Sequence, residues 1–146
     1  MTENNEATEQ YLELYKLAVE MADRVSARRA TTNAFFLTVN TVLLAFVSSG
    51  SLNVLWLVSL AGIALSATWW VLLKSYRDLN RAKFAVITEM EADLEVKLFG
   101  DEWKRLKEDR EQQGWWGRYA EFSMTERLVP LIFAALYAAV FVKPLF

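Results

Sequence analysis

The sequence predicts an all-α, polytopic integral membrane protein with three transmembrane helices and long cytoplasmic helical extensions. Three observations lead there. Two apolar stretches without a charge follow one another, from about Thr31 to Ser49 and from about Leu52 to Leu73. A third closes the chain, from about Leu128 to Phe146. The charged residues, 23% of the chain, fall almost entirely outside these stretches, although 54% of all residues are apolar. A small soluble domain has too much surface to cover for so apolar a composition, and a bare membrane hairpin has no need of so many charges. Segregation of the two populations along the chain resolves the conflict.

The elements follow in order. Residues 1–30 read as a cytoplasmic N-terminal helix. Met1 to Gln10 is polar and acidic, which is not the pattern of a cleaved secretory signal. From Glu6 to Arg29 there is neither Gly nor Pro, and Tyr11, Tyr15, Ala18, Ala22 and Val25 repeat at alternating steps of four and three. That spacing makes a coiled-coil-like seam. Nothing interrupts the chain before the first span, so one long helix is expected to project from the membrane.

Residues 31–73 read as a transmembrane hairpin. Its two stretches reach about 28 and 33 Å as helices, enough for a hydrocarbon core of about 30 Å. Ser48, Ser49, Gly50 and Ser51 supply the turn. A buried soluble hairpin is the competing and less favoured reading. Residues 74–127 read as a cytoplasmic helical region. Leu79, Lys83, Val86, Met90, Leu94 and Leu98 are expected on one face, with Gly100 closing that helix and Asp101 capping a short helix that ends near Gly114. Trp115, Trp116, Gly117, Tyr119 and Phe122 suggest an aromatic return to the membrane interface.

Residues 128–146 read as the third transmembrane helix, with a re-entrant segment as the alternative. Pro130 suits an early turn, Ser123 and Glu126 fit a capping box, and Lys143 is positioned to snorkel. Lys16, Arg24, Arg28 and Arg29 precede the first span, and Lys74, Arg77, Arg81 and Lys83 follow the second. The positive-inside rule therefore expects a cytoplasmic N-terminus and a periplasmic C-terminus. Trp56 is assigned to the outer interface, and Trp69 with Trp70 to the inner one.

Several chemistries are excluded by composition. The chain has no His and no Cys, so a Ser-His-Asp triad, a cysteine nucleophile and a thiolate metal site cannot be built from it. A net charge of −2 offers no field for nucleic acid. No cofactor, metal site or catalytic residue is expected, and the chain is not expected to be an enzyme. Glu91 and Glu95 are an i,i+4 acidic pair within the run Glu89 to Glu95, but that run lacks a ligand loop. It reads as a solvated face, or as a partner for a neighbouring subunit's basic residues.

Two sets of residues remain as candidate sites. Arg28, Arg29, Arg77, Arg81 and Lys83 are candidates for contact with anionic lipid headgroups or another anion. Asn33, Asn40 and Thr41 are candidates for interhelical hydrogen bonds or for a pore lining, because a polar amide in hydrocarbon must find a partner. Ser59, Gly62 and Ser66, and Ala134, Ala135, Ala138 and Ala139, offer small-residue faces for close helix approach, within a chain or between copies.

The blocks YKLAVEMADRVSARRATTNAFFLTVNT, WWVLLKSYRDLNRAKFAVITEMEADL, FGDEW and MTERLVP, taken together, resemble the RipA-like family of small bacterial inner-membrane proteins. The resemblance covers Tyr15 to about Pro130 and implies a homo-octamer in the bacterial cytoplasmic membrane. It implies no defined chemistry. The expected function is that of a homo-oligomeric scaffold, sensor or regulator, with self and membrane lipids as partners. The alternative is an oligomeric channel or pore for ions or small solutes.

Overall fold

The computed structural model describes residues 2–49, 52–94, 97–112 and 122–142. Among these residues there are four α-helices and no strand: α1 (Thr2–Ser49), α2 (Leu52–Glu91), α3 (Leu98–Gln112) and α4 (Phe122–Val142). The aromatic run at 115–119, Gly50, Ser51, Glu95, Gly114, Lys143 and Pro144 lie outside the described residues.

The 48 residues of α1 would extend about 72 Å and the 40 of α2 about 60 Å. A bilayer's hydrocarbon layer is about 30 Å thick, so each helix carries far more length than a crossing needs. Both helices, over Glu6–Val47 and Leu55–Glu91, are long and apolar enough to cross a membrane. The run without Gly or Pro before Thr31 is thus one continuous helix with the apolar stretch after it.

Two compact units make up the fold. The first comprises Met1–Arg28 and Tyr76–Arg118, the second Arg29–Ser75 and Tyr119–Phe146. In the first unit the seam Tyr11, Tyr15, Ala18, Ala22 and Val25 turns inward, with Ala22 buried. It packs against α2 of the same chain, where Ile87 and Glu91 are buried. Ring contact between Phe84 and Phe99, at a centroid distance of 5.6 Å, brings in the start of α3. In the second unit Phe36, Trp69 and Leu73 form the core, flanked by Leu65, Leu72, Val129 and Phe133. Phe36 and Trp69 stack at 5.8 Å and 9°. Such an aromatic pair adds about 0.5–1.5 kcal/mol to its area burial.

Several local expectations are corrected. The buried face of α2 runs through Asn80, Phe84, Ile87 and Glu91, so Leu79 and Val86 are exposed. The sequence pattern placed the face one residue too early, because apolar residues occupy both flanks of the true contact line. Gly100 and Asp101 do not separate two helices; both lie in the first turn of α3, whose first bond runs from the Asp101 amide to the Lys97 carbonyl at 2.9 Å. Met90 and Leu94 do fall on the inner side, and α2 ends at Glu91 in a turn over residues 92–94. Because α4 begins at Phe122, Ser123 lies inside the helix and Pro130 is a buried interior residue, not an early-turn one. Trp69 is not an interfacial anchor: it is 2% exposed, held in the core by Phe36.

Candidate functional site

In the second unit, the polar residues of the apolar stretches are gathered between helices. Asn40 is fully buried. Its side-chain amide donates to the Phe36 carbonyl at 2.8 Å, and its side-chain oxygen accepts the Ser66 hydroxyl at 3.2 Å. Tyr137, from α4, donates its hydroxyl to the Asn40 backbone carbonyl at 2.9 Å. One residue of α1 thereby holds both other helices of the unit. The Tyr137 ring fits because residue 62 is Gly: a Cβ there would stand 2.6 Å from three ring atoms. Ser59, Gly62 and Ser66, spaced three and four apart, are all buried on that face of α2. Two turns before Asn40, Asn33 accepts the Trp69 indole N–H at 2.9 Å. Each such bond adds about 0.5–1.5 kcal/mol net, and leaving a buried partner unmade costs about 1–3 kcal/mol.

Thr41, the third polar candidate, is exposed, and among the described residues its hydroxyl donates to the Leu37 carbonyl of its own helix, at 2.7 Å. Ala135, Ala138 and Ala139 are exposed and Ala134 half-buried. In this chain α4 presents Tyr137 to α2, not the alanine face.

The first unit has its own polar focus at Glu91. Its side chain is 1% exposed and accepts three hydrogen bonds. The Tyr15 hydroxyl donates at 2.8 Å and the Phe99 amide at 2.9 Å to Oε1, and the Gly100 amide donates at 2.9 Å to Oε2. Phe99 and Gly100 are the second and third residues of α3, whose amides have no partner within the helix. A capping side chain ordinarily takes them, but the residue in the capping place is Lys97, which cannot accept. Glu91 acts in its place, and its negative charge meets the positive end of the helix dipole. Burial works to raise the Glu91 pKa, but the Phe99 and Gly100 amides, Tyr15 and Lys97 outweigh it, and the net shift is downward. Burial and the Glu91 bond push the Tyr15 phenol up to about 12. Tyr11 adds a bond from its hydroxyl to the Met90 carbonyl at 2.7 Å, with the Asp93 carboxylate 3.3 Å away. The expectation of a solvated acidic face thus fails at Glu91, while Glu89 and Asp93 are exposed.

The basic candidates are not brought to a common site. Arg28 and Arg81 are exposed, and Arg77 and Lys83 are half-buried. Arg29 lies 3.7 Å from Glu126 of α4, in a partly buried pair within the second unit. Among the described residues no group of acidic side chains could hold a metal ion.

Sequence reasoning missed Tyr137, Ser66 and Trp69 as partners of the two asparagines, and Glu91 as a cap. The small-residue spacing on α2 was the available signal for the first group. For Glu91 the signal was a helix start with Lys97 where an acceptor belongs.

No curated protein and no solved structure matches the chain. The model of the octameric membrane protein family (8xMP) matches residues 12–146. That match takes in most of α1 and the whole of α2, α3 and α4, and α1 and α2 are long and apolar enough to cross a bilayer; this chain therefore belongs to the octameric membrane protein family.

Proposed function

We propose that the protein is a non-catalytic, homo-octameric scaffold or sensor of the bacterial inner membrane, of the RipA-like type. In this reading α1, α2 and α4 each cross the bilayer. The first unit stands in the cytoplasm, the N-terminus is cytoplasmic and the C-terminus periplasmic. Arg28, Arg77, Arg81 and Lys83 meet anionic headgroups.

The observation that carries the structural reading over the channel is the engagement of Asn33 and Asn40. They are the amides of the first apolar stretch, the candidates for a pore lining, and both are bonded within a single chain. A pore needs polar groups left over for ions or water, and Thr41 alone is a poor substitute because its hydroxyl is bonded to its own helix. Native mass spectrometry of the nanodisc-embedded chain tests the assembly, with a species of eight copies as the expected result. Planar-bilayer recording of the same preparation tests the role. Silence agrees with a scaffold; a reproducible conductance altered by Asn40→Leu would establish the channel instead. Single cysteines placed at Glu13 and Trp56, in a chain that has none, report topology through labelling by a membrane-impermeant maleimide.

A further inference from the structure

The positive charge beside the apolar stretches is unevenly matched. On α1, Arg24 pairs with Glu20 at 2.7 Å and Arg29 with Glu126 at 3.7 Å. On α2, the stretch from Lys74 to Lys83 holds Lys74, Arg77, Arg81 and Lys83 against a single acid, Asp78. Arg77 is half-buried and Arg81 exposed, and neither has an ion-pair or hydrogen-bond partner among the described residues. Asp78 stands three residues before Arg81, is exposed, and bonds neither arginine. Arg77, Asn80 and Arg81 lie at i, i+3 and i+4, so they are neighbours on one face of α2. Two like charges at that spacing repel, and an anion held by both removes the repulsion. The Asn80 side-chain oxygen is buried and has no partner. The accessible end of this half-buried side chain is therefore its N–H2, a donor beside two guanidinium groups.

Depth and direction single out the same residues. Arg77 follows Leu73, the end of the second apolar stretch, by about 6 Å along α2. A headgroup layer is about 5–8 Å deep on each side of the hydrocarbon, so Arg77 starts at its level. Arg81 stands one turn further on. A helical side chain leans toward the N-terminus of its helix and covers the turn before its own Cα. On α2 that direction is back toward the apolar stretch, and Asn80 and Arg81 cover the level of Arg77. On α1 the N-terminus lies away from the apolar stretch, so Arg28, just before Thr31, leans out of the headgroup layer. Lys83 lies about 15 Å past Leu73, beyond that layer. The five basic candidates do not converge, but two of them are placed to grip one phosphate.

We propose that Arg77 and Arg81, with the Asn80 amide between them, clamp the phosphate of one anionic phospholipid headgroup per chain. This rests on the reading that α2 crosses the bilayer and the first unit stands outside it, and it narrows the headgroup contacts of that reading to a defined site. A guanidinium fork engages two phosphate oxygens at once, which an ammonium does not. The Asn80 N–H2 supplies a neutral donor to a further oxygen. A soluble phosphate ester offers the same group. A lipid has the advantage that its chains, held in the bilayer beside α2, keep its phosphate at the level of the clamp and so raise its effective concentration there. In phosphatidylglycerol the phosphate is the net charge of the headgroup, whereas choline neutralises it.

The full chain in nanodiscs of equal phosphatidylglycerol and phosphatidylcholine, released into native mass spectrometry, reports which lipid stays bound. The wild type should retain phosphatidylglycerol over phosphatidylcholine by roughly tenfold or more, at one lipid per chain. Arg77→Gln with Arg81→Gln should bring that preference to within about twofold of parity. Arg81→Gln alone, at an exposed position, should lose most of it with unchanged helical circular dichroism. Lys104→Gln with Lys107→Gln removes the same charge from α3 and should keep the preference. Arg77→Lys with Arg81→Lys keeps the charge without the fork and should lose about threefold or more. A lysine pair that binds as well as the arginines overturns the proposal. So does an α3 variant that loses the preference equally, or Arg28→Gln costing as much as Arg81→Gln. Glycerol 3-phosphate at millimolar concentration should leave the bound lipid in place; displacement would give the clamp to a soluble phosphate ester and overturn the lipid assignment. A wild type stripped from membranes by alkaline carbonate fails at the underlying reading, whereas one that stays embedded and shows no preference fails at the clamp.

Discussion

Gly62 and Tyr137 depend on one another. A Cβ at residue 62 would stand at 2.6 Å from ring atoms of a side chain with no exposed surface, so the ring has nowhere to retreat. Gly62→Ala should destabilise the second unit by about 1–3 kcal/mol, the usual cost of overpacking. Thermal unfolding in detergent would show it as a lowered midpoint; an unchanged midpoint would mean that the ring is not seated there. The Asn40–Ser66 bond gives a sharper test. Asn40→Leu strands a buried hydroxyl, and Ser66→Ala strands a buried amide oxygen, at about 1–3 kcal/mol each. The double variant should cost clearly less than the sum, since removal of both partners leaves nothing unpaired. Strict additivity would refute the coupling. The identities of Asn33 and Asn40 were legible as polar residues needing partners, but the partners were not. Ser66, Trp69 and Tyr137 lie 26, 36 and 97 residues from the groups they bond. No local pattern reports contacts at that range.

At the scale of elements, the start of α3 is secured by the end of α2. Glu91→Ala should expose the Phe99 and Gly100 amides, and their hydrogen exchange should accelerate while that of α1 amides near Thr31 stays slow. The pH dependence follows from the direction of the shift. The Glu91 pKa is lowered in the folded chain, so its stabilisation is complete above the ordinary value of 4.5 and is lost as pH falls through the depressed folded value. Tyr15 behaves in the opposite sense. Its raised pKa adds stability that is complete below 10 and declines as pH rises toward about 12. Protection of α3 should therefore be flat across neutral pH and fall on both the acid and the alkaline side. Glu91→Gln should abolish the acid limb; an acid limb that survives would place the titrating group elsewhere. Helix existence was readable in α1 from its long run free of Gly and Pro, and in α2 and α4 from their apolar stretches despite Gly62 and Pro130. Helix ends were not. The joint at residues 92–97 is made by a carboxylate reaching across a turn, and Gly100 looked like a terminator only while that contact was unknown.

For the whole molecule, the seam from Tyr11 to Val25 faces another helix, as its spacing suggested. A step of four and three is what a helix shows to another helix, whether in its own chain or in a neighbour. Here the partner is α2 of the same chain, through Tyr11 and Tyr15. Deletion of Met1 to Val25 should then uncover Ile87 and Glu91 and unfold the first unit before it affects any contact between copies. Limited proteolysis should cut the truncated chain within 76–94, and its native mass should show loss of the octamer together with that cleavage. A truncated chain that resists protease but falls apart into monomers would assign the seam to the interface instead.

The order of helices, the two helices long and apolar enough to cross a membrane, and the segregation of charge followed from the amino-acid sequence alone. They depend on local quantities: hydropathy over a helix's length, the scarcity of helix breakers, and the placing of Lys and Arg outside the apolar stretches. Which flank of a helix turns inward, which residue caps α3, and whether an asparagine bonds a neighbour or faces a lumen depend on the rotation and level of one helix against another. A shift of one residue along α2 moves the contact by about 100°, exchanging Val86 for Ile87. With apolar residues on both flanks, composition scarcely distinguishes the two registers. The bonds from Tyr11 to the Met90 carbonyl and from Tyr15 to the Glu91 carboxylate do distinguish them, because both are made at a single rotation of each helix.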